Sequence, residues 1–305
     1  MTVTIAYLGP EGTYSQLAAL AYGIELEHQS GQPVDLRAFP SIPRAMQATA
    51  AGDTTLAVVP AENSIEGGVT FTLDTLWVLN QLKIHQALVM PIRHGLLSQA
   101  RSLAELRVVY SHPQALSQCQ LWLEQQVPQA MLVATNSTTE PLGHLVDDRT
   151  VGAVSSEWAA QLHNLPVLAH DINDQPDNCT KFWVLGLGNA SHQRGSAAYT
   201  SLAFSVPVNA PGALLKPLQV FAHHGINLSR IESRPAKRSL GDYRFFVDLE
   251  ASTSEPRGRQ ALQELTSVTE TLIQFGSYNL VTISHSLAAA KAKYAELKTQ
   301  AEATP

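Results

Sequence analysis

The sequence predicts an α/β fold in two lobes, followed by a smaller βαββαβ unit. Short apolar strands repeatedly run into polar turns that begin a helix, which is typical of a parallel α/β layer. This arrangement follows Leu8, Val59, Tyr110 and Ala134. Beyond about residue 198 the order becomes strand, helix, two strands, helix and strand, which is the split ferredoxin-like arrangement.

The composition is that of an ordinary globular protein. The 305 residues are 45% hydrophobic and 15% charged, and the formal net charge is −6. This length predicts more than one compact unit. The mild acidity argues against nucleic-acid binding, and it means that an anionic ligand has to be held by local groups.

The N-terminus reads as a strand and a turn rather than a signal sequence, and no apolar run reaches membrane-spanning length. Cys119 and Cys179 are the only cysteines, and they share no metal-ligand spacing with histidine. We therefore expect a cytoplasmic protein with free thiols, without metal or cofactor, and without nucleic-acid or membrane partners.

Turn and periodicity signals place the elements of the N-terminal region. Residues 83–97 alternate as one long strand or two crossing ones, which marks a passage to a second lobe. The other predicted strands lie at 2–8, 34–39, from 56, 107–110, 131–134, 150–154 and 166–169, and the helices at 16–22, 42–51, 70–80, from 113 and near 157–163.

Residues 173–186 begin with turn-forming residues and continue as an apolar strand, with Thr180 and Lys181 at the start of the strand. A hydroxyl and a cation in this place can address an anion. The alternative is an ordinary edge strand, with Thr180 as a β-former and Lys181 in solvent.

The C-terminal part starts after a small, polar stretch at 188–198, which we interpret as a linker. The predicted domains are 1–187 (lobes 1–80 with 165–187, and 81–164), 199–285, and a tail at 286–305. The predicted C-terminal elements are strands at 199–206, 226–233, 243–250 and 272–278, and helices at 211–224, 256–271 and about 286–302.

If the helix starts border one cleft, their N–H groups and hydroxyls suit a small dianion, with Lys181 as a fixed cation. The titratable candidates are Glu11, Glu62, Glu66 and His112. Glu11, Glu62 and His112 are equally consistent with a role at a helix start. No Ser–His–Asp spacing marks an acyl-transfer nucleophile.

Five segments resemble, in order and spacing, the motifs of prephenate dehydratase: residues 9–15 (Gly-Pro-Glu-Gly-Thr-Tyr-Ser), 59–64, 111–116, 136–138 and 178–182 (Asn-Cys-Thr-Lys-Phe). Residues 211–214 and 232–235 (Glu-Ser-Arg-Pro) resemble the phenylalanine-binding motifs of its ACT domain. No chorismate mutase segment precedes the first strand, so a stand-alone dehydratase is expected.

The resemblance implies two lobes like those of type II periplasmic binding proteins, followed by an ACT domain. It implies conversion of prephenate to phenylpyruvate with loss of carbon dioxide and water, inhibition by L-phenylalanine, and a homodimer or homotetramer. Thr180 is implied nearest the chemistry, with Glu62 and His112 as relay candidates.

The same resemblance implies two sets of ligand-binding residues. The substrate set is Thr13, Ser15, Asn63, Ser64, Asn136, Ser137, Thr138, Lys181 and Phe182. The effector set is Pro211, Gly212, Ala213, Leu214, Asn227, Leu228, Glu232, Ser233, Arg234 and Pro235.

Two positions depart from the family pattern. Lys181 stands where the family usually has arginine, and Ala61 where isoleucine is common. Lysine is a point charge and does not grip a carboxylate bidentately, so substrate orientation is open to change. Arogenate dehydratase and a non-catalytic amino-acid-binding protein are the alternatives to prephenate dehydratase.

Overall fold

The computed structural model describes residues 2–188, 197–238 and 241–283. Most of the predicted linker at 188–198 and the whole tail at 286–305 lie outside these ranges. The described residues form three sheets, one in each lobe of the N-terminal region and one in the C-terminal domain.

The first lobe is built on a mixed seven-stranded sheet with α1 (Tyr14–Ser30) on one face and α2 (Ile42–Ala51) and α3 (Thr70–Val78) on the other. From edge to edge the strands are β16 (Leu280–Thr282), β5 (Leu82–Pro91), β11 (Cys179–Leu187), β3 (Leu56–Asn63), β1 (Val3–Leu8) and β2 (Val34–Phe39), with β4 (Gly67–Gly68) paired to β3.

The central strand β11 is buried on both faces. Phe182 and Val184 pack into the core that contains α1, whereas Trp183 and Leu185 pack into the core that contains α2 and α3. Successive side chains of a strand point to opposite faces, so the apolar run of β11 serves two cores at once. The same alternation decides which face of the sheet Thr180 and Lys181 point to at the start of β11.

The second lobe carries a five-stranded sheet. Its strands in order are β10 (Val167–Ala169), β6 (His94–Leu97), β9 (Val151–Ser156), β7 (Val108–Ser111) and β8 (Met131–Ala134). Its helices are α4 (Pro113–Ser117), α5 (Gln120–Gln126) and α6 (Glu157–Leu162), with 3₁₀ turns at Leu103–Glu105 and Glu140–Leu145. None of the described helices combines the length and apolarity that a membrane span requires.

Residues 83–97 form two strands in different sheets, which decides between the two predicted alternatives. The predicted lobe boundaries are wrong by one strand at each crossing. β5 pairs with β11 in the first sheet, and β10 pairs with β6 in the second. β5 has ten residues and β10 has three, and the composition of neither strand shows which sheet it will join.

The C-terminal domain has the predicted βαββαβ order. Its sheet runs β13 (Leu228–Pro235), β14 (Tyr243–Leu249), β12 (Tyr199–Ser205) and β15 (Thr271–Tyr278), all antiparallel, with α7 (Leu215–His223) and α8 (Pro256–Val268) packed on it. α7 begins later than predicted because Gly212 adopts a positive φ of 80°. After β15 the chain returns to the first lobe, where β16 pairs in parallel with β5; the sequence did not predict this return.

The first lobe and the C-terminal domain share one hydrophobic core. Trp183 and Leu76 from the first lobe lie in the same cluster as Phe246, Phe275 and Tyr278 from the C-terminal domain. Phe246 stacks on Phe275 with ring centroids 6.0 Å apart. The two parts therefore depend on each other for burial of apolar surface.

Replacing Phe246 with alanine should lower the free energy of unfolding by about 3–5 kcal/mol, because it leaves a cavity in this shared core. Urea unfolding followed by tryptophan fluorescence measures the loss, since Trp77 lies 6.2 Å from Phe246. Leu121→Ala, at a side chain with 59% exposure, is the control and should change stability little. Equal effects of the two substitutions would contradict a shared core.

Candidate active site

A cleft of about 770 Å³ lies between the two lobes. This volume matches pockets that enclose small molecules. Strand mouths and helix starts from both lobes face it, as expected for a ligand site in an α/β fold. The predicted residues that line it are Thr13, Ser15, Asn63, His112, Asn136, Ser137, Thr138, Thr180 and Phe182.

Thr180 presents a hydroxyl whose oxygen is already engaged on one side. Its Oγ1 accepts a hydrogen bond of 3.0 Å from Asn63 Nδ2. Asn63 Oδ1 accepts from the backbone N–H groups of Ile65 and Glu66, which fixes the amide with Nδ2 towards Thr180. In the described part of the chain Oγ1 has no second hydrogen-bond partner, so the Thr180 proton is left to donate into the cleft.

The orientation of Asn63 propagates along a row of buried amides. Asn63 Nδ2 also donates to Asn178 Oδ1 at 2.8 Å, and Asn178 Nδ2 donates to Gln118 Oε1 at 2.9 Å. Gln118 Nε2 then donates to Glu66 Oε1 at 3.2 Å. Gln118 belongs to the second lobe, directly after α4, so this row bridges the lobes across the cleft floor.

His94 is a cleft residue that the sequence analysis missed. Its Nε2 lies 3.1 Å from Gln118 Oε1, an acceptor, so Nε2 carries the proton and Nδ1 is bare. Nδ1 lies 3.3 Å from the Tyr14 hydroxyl, which donates to the Arg93 carbonyl. Burial lowers the pKa of His94 from 6.5 to about 4, although the hydrogen bond to Gln118 opposes the shift. The ring is therefore neutral at pH 7.

The N-terminus of α1 reaches the cleft and is tied to the second lobe. Thr13 caps the helix by accepting from the Gln16 N–H at 3.3 Å. Gln16 Oε1 accepts from the Gly12 N–H and from Trp158 Nε1, at 2.7 and 3.1 Å. The helix is 17 residues long, and its first residues line the cleft. The partial positive end of the helix dipole therefore lies at the cleft wall.

The loop at 136–140 is held by two hydrogen bonds to Glu140. Ser137 Oγ accepts from the Glu140 N–H at 3.0 Å, and Glu140 Oε2 accepts from the Asn136 N–H at 2.7 Å. The arrangement differs from a capping box, in which the Glu140 carboxylate would accept from the Ser137 N–H. Glu140 lines the cleft, but both of its oxygens are engaged, because Oε1 accepts from Asn136 Nδ2. It fixes the hydroxyls of this loop.

His112 lines the cleft and also caps α4. Its Nδ1 accepts from the Gln114 N–H at 3.2 Å. In the neutral ring the proton is therefore on Nε2, so His112 can donate from that atom. The sequence left open whether His112 is a cap or a cleft residue, and the structure makes it both.

The structure corrects two predicted site residues, Glu62 and Lys181. Both side chains lie on the opposite face of the first sheet from Thr180, outside the cleft. Lys181 Nζ binds Glu62 Oε2 at 2.5 Å and Asp248 Oδ2, in the C-terminal domain, at 2.8 Å. The reason is the two-residue period of a strand: Lys181 shares a face with Trp183, and Thr180 shares one with Phe182.

Ser64 is the third correction. It is exposed and lies outside the cleft, where its hydroxyl accepts from the Cys179 N–H at 3.0 Å. Its backbone N–H donates to the Cys179 carbonyl at 2.9 Å. Ser64 thus holds the residue before Thr180 in place and does not face a ligand.

The described residues that line the cleft include no lysine or arginine. An anion bound here meets hydroxyls, amide N–H groups and a helix N-terminus. Such preorganised neutral donors stabilise negative charge that is fixed in position, and they need no reorganisation during a reaction. The arrangement suits an anion that loses a group next to the Thr180 hydroxyl.

A family profile described as prephenate dehydratase matches residues 5–190, which is more than half of the chain, and a profile described as ACT domain matches residues 200–266. The chain belongs to the prephenate dehydratase family. Its C-terminal domain is accordingly an ACT domain.

Relatives agree over nearly the whole length. The chain is 40% identical over 276 residues to a bifunctional chorismate mutase/prephenate dehydratase of Aquifex aeolicus, covering 90% of this chain and 73% of the relative. It is 32% identical over 283 residues to prephenate dehydratase of Lactococcus lactis subsp. cremoris, covering 92% and 98%. These similarities make it an enzyme of the prephenate dehydratase type.

A solved structure of prephenate dehydratase in complex with L-Phe from Arthrobacter aurescens superposes with a TM-score of 0.80 at 32% identity. The match covers 98% of this chain and 100% of that one. The two-lobed fold and the C-terminal ACT domain predicted from sequence are confirmed.

The predicted effector residues of the ACT domain fall into two groups. Glu232 and Arg234 face the catalytic domain: a Cβ on Gly68 would lie 1.8 Å from Glu232 Oε2, and Arg234 pairs with Asp74 of α3 at 3.3 Å. Both side chains are thus engaged with the catalytic domain in this structure, and their assignment as effector ligands stays a prediction. The remaining residues are exposed or half-buried on the ACT domain: Pro211, Gly212, Ala213, Leu214, Asn227, Leu228, Ser233 and Pro235.

His94 should make this dehydratase less stable in mild acid. The unfolded chain takes up a proton below pH 6.5, while the folded chain keeps His94 neutral down to about pH 4. Stability therefore falls with pH across this window, by about 2 kcal/mol between pH 7 and pH 5. Urea unfolding at both pH values should show a smaller decrease for His94→Gln than for the parent.

His163→Gln, at an exposed histidine, is the matched control and should keep the parent's pH dependence. A His94→Gln protein that loses as much stability as the parent would show that His94 does not stay neutral in the fold.

Proposed function

We propose that this enzyme converts prephenate to phenylpyruvate, carbon dioxide and water, and that L-phenylalanine inhibits it. The observation that carries the proposal is the Thr180 hydroxyl, which Asn63 orients so that its proton is left to donate into the cleft. A cyclohexadienyl dianion with a leaving hydroxyl is the substrate that such a site suits.

The reaction breaks two bonds of the substrate ring, the bond to the carboxylate and the C4–oxygen bond. The bond from the ring carbon to the carboxylate breaks, and its electron pair enters the ring as carbon dioxide departs. The C4–oxygen bond then breaks, the ring becomes aromatic, and the oxygen leaves as water after taking a proton. Aromatisation supplies the driving force, and the protein contributes orientation and help for the departing oxygen.

Thr180 is the donor to the departing oxygen. A threonine hydroxyl is too weakly acidic to act alone as a general acid near pH 7, so it serves as a hydrogen-bond donor and proton conduit. His112 lines the same cleft, and its Nε2–H is the candidate source of the proton. Glu62 is excluded from this relay because it lies on the other face of the sheet.

Prephenate and arogenate differ in the charge of one group. Arogenate carries an ammonium group, which a carboxylate attracts. Among the described residues that line the cleft the carboxylate is Glu140, which keeps its negative charge while each of its oxygens accepts one hydrogen bond from Asn136. Comparing the specificity constants kcat/KM for the two substrates decides between them.

A non-catalytic amino-acid-binding protein is the remaining alternative. It requires no oriented donor in the cleft, whereas this chain retains Thr180 with its proton free. Incubation of the purified protein with prephenate decides the matter, because phenylpyruvate is detected by its enolate absorbance in alkali.

The structure from Arthrobacter aurescens is a complex with L-Phe, which supports phenylalanine binding. We place the binding site at an interface of two ACT domains. In the present chain Leu215 and Ile231 are exposed on the ACT domain, with relative exposures of 55% and 46%. An isologous dimer is the smallest assembly that covers such a surface. Inhibition then requires that phenylalanine bind the active and inactive conformations with different affinity.

Thr180→Ser should retain kcat within about tenfold of the parent, because it keeps the hydroxyl. Thr180→Val, which is nearly isosteric with threonine but has no donor, should lower kcat about 100-fold or more. Both values come from the phenylpyruvate assay at saturating prephenate. Equal losses in the two variants would remove the hydroxyl from the mechanism.

Saturating phenylalanine should slow prephenate turnover and change the X-ray scattering profile of the protein, since the effector acts only by shifting a conformational equilibrium. Alanine at the same concentration is the control ligand. An unchanged rate together with an unchanged profile would end the regulatory proposal.

A further inference from the structure

A buried cluster of charges joins the catalytic domain to the ACT domain. Lys181 lies between Glu62 of β3 and Asp248 of β14, and Arg230 of β13 completes the cluster. Arg230 binds Asp248 with two nitrogens, Nε and Nη2, at 3.0 and 3.1 Å. Its guanidinium also lies over the ring of Trp183, 5.3 Å from the centroid.

Asp248 is the centre of this cluster. Its side chain is 1% exposed, and it accepts from Lys181, Arg230 and Ser201. Burial alone would raise the pKa of Asp248, but Arg230 and then Lys181 outweigh burial and hold that pKa well below its ordinary value. Removal of either cation therefore leaves a buried carboxylate with too few partners, which is strongly unfavourable.

The same two strands carry the cluster and the catalytic pair. In the antiparallel ladder of β3 and β11, Thr180 is opposite Asn63 and Lys181 is opposite Glu62. One pair faces the cleft and the next faces the ACT domain. The register then shifts, because Phe182 is opposite Pro60 and Ala61 is left as the extra residue of a bulge. Bulges of this kind set the direction of neighbouring side chains.

On the ACT side the contacts come from the strand that carries the effector motif. Arg230, Glu232 and Arg234 alternate along β13 and all face the catalytic domain. Glu232 lies against Gly68 of β4, and Arg234 binds Asp74 of α3. A shift of β13 relative to the catalytic domain would therefore act on β3, β4 and α3 together.

We propose that Lys181 is a positioning residue through which the ACT domain fixes the Thr180 hydroxyl, and that breaking the Lys181–Asp248 contact uncouples phenylalanine from catalysis. This inference rests on the proposed function. It assigns to Lys181 the role of an interdomain link rather than a substrate ligand. The link is short, since the catalytic residue and the linking residue are adjacent in the chain.

The test is Lys181→Met, which keeps an unbranched side chain of similar bulk and removes the ammonium group. We expect kcat for prephenate to fall about 10- to 100-fold, because small displacements of a reacting group have costs of this size. KM should stay within about twofold, because Lys181 does not line the cleft. The ratio of kcat without and with phenylalanine should move towards one.

Lys181→Arg should restore both kcat and the response to phenylalanine, because it returns a cation to Glu62 and Asp248. Lys237→Met is the matched control. Lys237 binds Asp74 at 2.8 Å in the same interface, but its side chain is 68% exposed, so this variant should behave like the parent.

Three kinetic results would overturn the inference. The first is a Lys181→Met enzyme with raised KM and unchanged kcat, which would return Lys181 to the substrate. The second is a Lys181→Met enzyme that matches Lys237→Met in kcat and in its response to phenylalanine. The third is a Lys181→Arg enzyme as slow as Lys181→Met.

Hydrogen exchange of the β11 peptide separates this inference from the proposed function. Lys181→Met should exchange the amides around Thr180 faster than the parent and Lys237→Met do, whatever the substrate is. If the parent fails to turn over prephenate, the proposed function is wrong, and the exchange result still decides the positioning role. Unchanged exchange in Lys181→Met overturns it.

Discussion

The antiparallel pairing of β3 with β11 is the constraint on which the rest of the structure depends. Both strands are buried at the centre of the first sheet, so each successive residue serves a different face. One face supplies Thr180 and Asn63 to the cleft, and the other supplies Lys181 and Glu62 to the ACT domain. The cleft residues and the interdomain contacts thereby come from neighbouring residues of a single ladder.

The direction of the hydrogen bonds in the cleft follows from one side chain. Backbone N–H groups occupy Asn63 Oδ1, and this fixes the donor and acceptor ends of Asn178 and Gln118 in turn. The tautomer of His94 is the last consequence. The described residues that line the cleft include no lysine or arginine, so an anion placed there would meet oriented hydroxyl and amide donors.

The shared core ties the ACT domain to the first lobe of the catalytic domain. Phe246 and Phe275 bury surface against Trp183 and Leu76, and β16 leads the chain back to the first sheet. Apolar contacts are not directional, so this core gives affinity between the domains, whereas the buried ions between Lys181, Asp248 and Arg230 give it a defined register.

The sequence by itself determined the order of most helices and strands, the ACT-type βαββαβ pattern and most of the cleft residues that follow strand ends, because these depend on local periodicity and turn chemistry. The sequence also held a signal that was not used. Neighbouring side chains of a strand point to opposite faces, so Thr180 and Lys181, which precede the buried Phe182 and Trp183, have to face opposite ways. Only the tertiary structure decided which sheet β5 and β10 join, that His94 lies in the cleft, and that Glu232 and Arg234 face the catalytic domain. These features arise from contacts between residues far apart in the chain, which local patterns do not encode.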